Sequence, residues 1–310
     1  MRAAFIRTLI ELARGDRRIF LLVGDLGYSV VEPFIREFPD RFVNVGVAEQ
    51  NLTGVAAGLA LSGKVVFTYS IANFPTLRCL EQIRNDVCYH NADVKIVAVG
   101  GGLSYGALGV THHGTEDLGV MRMLPNMKVI CPADPVEAEL ATHAVAQAEG
   151  PAYLRLAKAG EPLIHANLPT FEIGKAIELR PGRDVVLLAT GTVVKNALDA
   201  SAALAHSGIA AGVYSVHTLK PIDEDLIRQL AITTPVIVTI EEHSRFGGLG
   251  TSVAEVLAEI PQVRCLLRRV SLPGSFFQEA GSQEYLRAPF LSVEALVMQV
   301  REVMAGTTSS

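Results

Sequence analysis

The chain has no tryptophan among its 310 residues, and aromatic side chains make up only 6% of it. Stacking on a planar ligand therefore falls to one of few rings. Cysteine is scarce too. Cys79, Cys88, Cys131 and Cys265 lie far apart with no Cys-x-x-Cys pair, which argues against a zinc site or disulfide frame and reads as buried thiols of a cytoplasmic protein. There is no dense Lys/Arg run, and the net charge of −5 argues against nucleic acid as a partner. Apolar runs are broken by Gly, Lys or Asn short of bilayer length, so no membrane span is expected. With 49% hydrophobic and 19% charged residues, the chain reads as well folded and long enough for two cores.

What is present is a regular alternation. Residues 19–23, 43–47, 64–69, 94–99, 129–131 and 152–156 are strand-like and mostly apolar. Between them lie helix-like segments: the start of the chain, where Phe5, Ile6, Leu9, Ile10 and Ala13 keep helical spacing, the stretch after Glu49, and residues 75–90 and 135–148. Continuous apolar strands between helices predict a parallel sheet covered on both faces. Residues 166–183 read as a linker. A second series follows, with strands over 184–190, 211–216, 235–240 and 265–270, helices over 193–206, 223–230, 251–260 and 293–304, and a polar tail at 306–310. The fold class is α/β: two parallel-sheet domains, 1–165 and 184–310.

Three stretches can carry chemistry. Glu49 stands where an apolar strand opens into a small-residue helix, walled in sequence by Val45, Val47, Ala48 and Leu52. Open α/β sheets place ligands at such strand ends, so Glu49 reads as a proton-relay carboxylate, although a helix dipole also favours an acid there. The Gly-rich loop from Gly100 to Gly114 is long and holds His112 and His113. Loops of this length are functional more often than not. Metal binding by the two histidines with Glu116 or Asp117 is disfavoured, because neighbours in extended chain point apart; acid/base work or a substrate hydrogen bond fits better. Phe67, Tyr69 and Phe74 gather after the third strand, as core or as a stacking ring. Residues 241–250 read as a turn and interface element.

Taken in order, Gly46-Val47-Ala48-Glu49-Gln50, the aromatic segment 67–74, Thr111-His112-His113, Leu124-Pro125-Asn126-Met127 and Pro132-Ala133-Asp134 resemble the C-terminal half of transketolase. The resemblance covers essentially the whole chain, as a pyrimidine-binding domain of the thiamin-diphosphate-binding fold followed by the transketolase C-terminal domain. It implies thiamine diphosphate as cofactor, with Mg²⁺ on the diphosphate. The glutamate at the position of Glu49 then hydrogen-bonds N1′ of the aminopyrimidine and starts the proton relay that activates the cofactor. Phe74 takes the place of the ring stacked on the pyrimidine, with Tyr69 as the alternative, and Leu26 joins the cofactor site. Arg2, Ser29 and Lys158 lie where the family holds a sugar phosphate, with Lys158 replacing an arginine and losing its bidentate fork. His112 matches a histidine that contacts the substrate and shares in catalysis.

Departures from the family pattern set further expectations. Leu108 stands in place of an aspartate and Gly100 in place of a histidine near the substrate, so acceptor choice should differ. Gly15-Asp16-Arg17 and Gly24-Asp25-Leu26 lack the second glycine of the family's Gly-Asp-Gly metal motif. No metal ligand is therefore expected on this chain, and the Mg²⁺ and diphosphate site is expected on an N-terminal transketolase subunit, in an α2β2 assembly. The implied reaction moves a two-carbon ketol unit between sugars. The β subunit of a 2-oxoacid dehydrogenase and a 1-deoxyxylulose-phosphate synthase-like enzyme share the glutamate; Thr111-His112-His113 after the Gly-rich loop favours transketolase. A nonenzymatic α/β binding subunit is the reading from a different class.

Overall fold

A computed structural model of the chain describes residues 1–263 and 265–307. The last three residues of the polar tail read at 306–310 lie outside the described residues. In chain order the strands are β1 (Ile19–Val23), β2 (Phe42–Asn44), β3 (Val65–Ile71), β4 (Val94–Val99), β5 (Lys128–Ile130), β6 (Ala152–Leu156), β7 (Ile177–Arg180), β8 (Val185–Thr190), β9 (Ala211–Ser215), β10 (Thr218–Lys220), β11 (Val236–Ser244) and β12 (Leu266–Leu272). They form two sheets, one ordered β10-β5-β6-β4-β3-β1-β2 and the other β12-β11-β8-β9-β7. All neighbours are parallel except β10 with β5 and β7 with β9. Two α/β domains with mostly parallel sheets are what the alternation predicts.

The central strands explain why. β4 and β8 are buried at every position, as a sheet with helices on both faces requires. Successive residues feed opposite faces: Leu22, Val66 and Ile96 enter one cluster, Leu21, Phe67 and Val97 the other. Each such side chain contributes roughly 1.5–3 kcal/mol of transfer free energy. The first cluster continues into the second domain through Val186, Leu188, Ile237 and Leu249, so the two sheets share apolar packing.

Several elements differ from the sequence reading, each with a local cause. β2 stops at Asn44, because the Asn44 side chain accepts from the amides of Asp25 and Gly46 and Gly46 turns at φ +75°. That turn leaves Val47, read as a wall of Glu49, 74% exposed. The helix expected over 75–90 is a 3-10 turn at Leu77–Cys79, a single α turn at Leu80–Gln82 and a π-helix at Ile83–Cys88. Thr76 bonds back to the carbonyls of Ala72 and Asn73 and tightens its start. The linker contains β7, and the three-residue β10 crosses back to the first sheet; both are too short to show a period in sequence. The helix Gln283–Leu291 holds Pro289, a residue that ordinarily argues against a helix. Its start is capped by Ser282, whose hydroxyl accepts from the Tyr285 amide at 3.1 Å.

The loops after β1, β2, β3, β4 and β6 all leave the carboxyl edge of the first sheet. They carry or lead directly into Ser29, Glu49 at the start of its helix, Phe74, the Gly-rich segment and Lys158 respectively. This is the edge where parallel sheets bind ligands.

Candidate active site

Glu49 begins the helix Glu49–Leu61 and is 2% exposed. Its Oε2 accepts a hydrogen bond from Arg78 Nη1 at 2.9 Å. Gly24 lies alongside, where a Cβ would stand 3.7 Å from the Glu49 Cγ. Arg78, which pattern reasoning missed, also places its guanidinium 5.1 Å from the centre of the Phe74 ring. The half-buried Phe74 ring meets the His112 imidazole edge-on, at 5.2 Å between centroids. His112 Nδ1 lies 3.0 Å from the Thr111 hydroxyl, and Asn73 ties the two loops by donating to the Thr111 carbonyl at 2.8 Å. Glu49, Arg78, Phe74 and His112 thus form one chain of contacts drawn from three loops.

The first three glycines of the Gly-rich loop each lie against a side chain: the half-buried Tyr105 of the loop itself, and the buried Arg155 and Glu242. A Cβ on Gly100 would reach within 2.2 Å of the Tyr105 ring, on Gly101 within 1.8 Å of Arg155 Nε, and on Gly102 within 2.5 Å of Glu242 Oε1. No side chain other than hydrogen fits at those approaches. Arg155 pairs with Asp117 at 2.9 Å and donates to the carbonyls of Gly114 and Glu242. Burial works against its charge, yet Asp117 and the other acidic neighbours leave its pKa raised above the ordinary value. Glu242 accepts from the Leu103 amide at 2.7 Å and is held by Arg287 and Gln283. The Gly-rich loop therefore rests partly on the second domain.

The two histidines separate, although not as neighbours in extended chain: His112 ends a 3-10 turn, Val110–His112, and only His113 is extended. His112 faces Phe74 and Tyr105, whereas His113 is 4% exposed beside Phe277, and burial lowers its pKa. Asp117 is committed to Arg155 and to the Tyr153 hydroxyl. Among the described residues no group of three or more His, Cys, Asp or Glu side chains could hold a metal ion.

A second feature opens beside this cluster. A cleft of about 1010 Å³ is lined by Arg2, Ser29 and Lys158 together with helix residues such as Arg7 and Arg14. Arg7 and Arg14 are paired with Glu139 and Glu37. Arg2 and Lys158 have no carboxylate partner among the described residues, so two cations there remain to be neutralised. Ser29 is held in the left-handed region, φ +64°, by its amide donating to Glu32 Oε1 at 2.7 Å.

The first 160 residues match the family model for the transketolase pyrimidine-binding domain, and residues 174–295 match that for the transketolase C-terminal domain. The chain belongs to the transketolase family. It is 41% identical to a subunit of the apulose-4-phosphate transketolase of Phocaeicola vulgatus, over 84% of each chain. It is 39% identical to the 6-deoxy-6-sulfo-D-fructose transketolase subunit SqwH of Clostridium sp. strain MSTE9, over 98% of this chain and 94% of that one. A solved structure described as a split-gene transketolase, inactive beta4 tetramer, superimposes with a TM-score of 0.89 at 38% identity, over 98% and 97% of the two chains.

With the transketolase framework in place, the nominated residues sort by position. Glu49, Phe74 and His112 come together, and Arg2, Ser29 and Lys158 line one cleft. Leu26 is half-buried and packs on the first domain's core. Tyr69 does not reach the site as a stacking ring. It is 1% exposed, lies against Phe5 at 6.0 Å, and burial pushes its hydroxyl up to about 12 despite Arg2 nearby. Phe74, by contrast, is half-buried, between Arg78 and His112. At the two departures from the family, the space beside Gly100 is filled by Tyr105, and Leu108 is 57% exposed. Residues 241–250 are an interface element: the helix N-terminus there is filled by Glu241, which accepts from the amides of Leu249 and Gly250, and the His243 ring lies 3.2 Å from the amide of Gly119.

Proposed function

We propose that the chain is the C-terminal subunit of a split thiamine diphosphate-dependent transketolase, active only with a partner that supplies the diphosphate and Mg²⁺ site. The observation that carries this reading is Glu49: a buried carboxylate beside a half-exposed aromatic ring, at the carboxyl edge of a parallel sheet, in a chain of the transketolase family. These residues fit an aminopyrimidine. Glu49, when protonated, can donate its proton to N1′, and Phe74 offers a face for the ring. When bound, thiamine diphosphate supplies the nucleophilic carbon and the electron sink. Glu49 holds and moves the proton at N1′; Arg78, now on its Oε2, must yield part of that carboxylate. His112, with Nδ1 near Thr111, is placed to hydrogen-bond a substrate hydroxyl or carbonyl. Arg2 and Lys158 hold the anionic end of the substrate, which agrees with relatives named for a phosphorylated and a sulfonated sugar.

The missing metal ligands point to a second polypeptide, an N-terminal transketolase subunit, in an α2β2 assembly. The chain spans nearly all of relatives that are themselves named as subunits, and the structural neighbour lacking a second chain type is described as inactive. The test is reconstitution. Ketol transfer between sugar phosphates should appear only when this chain, the partner, thiamine diphosphate and Mg²⁺ are combined. Glu49→Ala should then slow exchange of the cofactor's C2 proton by at least about 100-fold, the lower range of acid/base contributions. Pyruvate consumption with CO₂ release would instead mark a condensing synthase, and an unchanged exchange rate would remove Glu49 from the mechanism.

A further inference from the structure

Tyr105 occupies a position that neither the proton relay nor the anion cleft accounts for. Its ring fills the space where a side chain at Gly100 would project. On one side it approaches the His112 imidazole, 6.3 Å between centroids. On the other, the Lys158 ammonium sits over its face at 4.6 Å. The charge of Arg2 also acts on its phenol, working against the burial that raises the pKa. Tyr105 therefore stands between His112 of the Glu49–Phe74–His112 cluster and Lys158 of the cleft. Its hydroxyl makes no hydrogen bond among the described residues, and it is not among the sealed, unpartnered polar atoms. A free phenol that is open between two ligand-holding groups is a donor and acceptor awaiting a partner. The nearby wall cannot supply one, since Leu108, one 3-10 turn on, is apolar and 57% exposed.

We propose that the Tyr105 hydroxyl determines specificity by reading one hydroxyl on the substrate's carbon chain, between the carbon that reacts beside Glu49 and the anionic end held by Arg2 and Lys158. This rests on the transketolase reading above for the two ends of the substrate. It names the substrate class as a polyhydroxylated chain with a terminal anion, one of whose internal hydroxyls is required. A site built to pair a substrate hydroxyl rejects the analogue that lacks it, because the site's own group is then left unpaired.

The experiment compares wild type with Tyr105→Phe, which keeps the ring beside Gly100 and removes only the oxygen. Isothermal titration calorimetry is run on the full chain, alone and mixed with the partner, using a five-carbon ketose phosphate and its monodeoxy analogues. Wild type should bind one analogue about tenfold more weakly than the parent sugar phosphate. Tyr105→Phe should bind that analogue and the parent within about twofold of each other, with Kd for the parent raised. The same ratio in both proteins overturns the proposal, as does a wild type that distinguishes none of the analogues, or no sugar phosphate binding in either form. Turnover is read separately. Intact discrimination without thiamine-dependent transfer would remove the proposed reaction and leave the role of Tyr105 in place.

Discussion

At the scale of single residues, the glycines of the Gly-rich loop separate two uses of the same residue type. Gly101 lies in ordinary backbone, so its requirement is space alone: a Cβ would meet Arg155 Nε at 1.8 Å. Arg155 cannot give way without leaving Asp117 and two carbonyls. Overpacking costs about 1–3 kcal/mol and an unpaired buried charge more, so Gly101→Ala should destabilise the chain by about 2–4 kcal/mol in urea unfolding. Gly58, inside the helix Glu49–Leu61, is the contrast, with nothing within 4 Å of its missing Cβ. Gly58→Ala should stabilise by about 0.5–1 kcal/mol through helix propensity. Equal effects of the two would show that the loop does not rest on Arg155. Glu49, Phe74, His112, Arg2, Ser29 and Lys158 are legible by motif, because the resemblance matches them by position along the chain. Tyr105, Arg78 and Asn73 are not, because the groups they contact are brought close only by folding.

At the scale of elements, period and composition made the parallel strands legible, since β4 is apolar apart from Lys95 and β8 apart from its terminal Thr190. The short or irregular pieces were hidden: β7, β10 and the helix with Pro289 are stabilised by what they meet. That last helix has a task. Its Gln283 and Arg287 hold Glu242, and Glu242 holds the Leu103 amide. The second domain therefore shapes the loop that carries His112 and Tyr105. Glu242→Ala leaves a 16%-exposed Arg287 and a buried amide unsatisfied. It should cost about 2–4 kcal/mol and selectively raise amide exchange over 102–114, read by hydrogen-exchange mass spectrometry. Exchange over β1 and β3 should be little changed. If the loop exchanges as in wild type, its order comes from the first domain alone.

At the scale of the whole molecule, the domains are joined by shared backbone as well as by packing. β10 leaves the second domain to pair with β5, and the His217 carbonyl just before it accepts from the Cys131 amide at 2.7 Å. The His217 side chain is fully buried, stacked on Phe171 at 3.9 Å and bonded through Nδ1 with the Thr218 hydroxyl. Burial lowers its pKa from the ordinary 6.5 to about 4, against the opposing pull of Glu137 and Asp223. The folded state thus favours the neutral ring. Above pH 6.5 neither state is protonated and stability is unaffected; as pH falls from 6.5 toward 4 the unfolded chain takes up a proton that the fold refuses. The loss approaches about 3 kcal/mol. His165, paired with Glu137 at 2.9 Å, acts in the opposite sense, because its pKa is raised despite burial. Its contribution is fully present below pH 6.5 and fades as pH rises through its folded value. The wild-type slope is the difference of the two, so His217→Asn is the informative variant. It should be less stable at neutral pH, through lost stacking, but should lose markedly less stability between pH 6.5 and 4 than wild type in urea unfolding. A variant whose stability falls as steeply as wild type's would place the acid sensitivity elsewhere than at the seam between the two sheets.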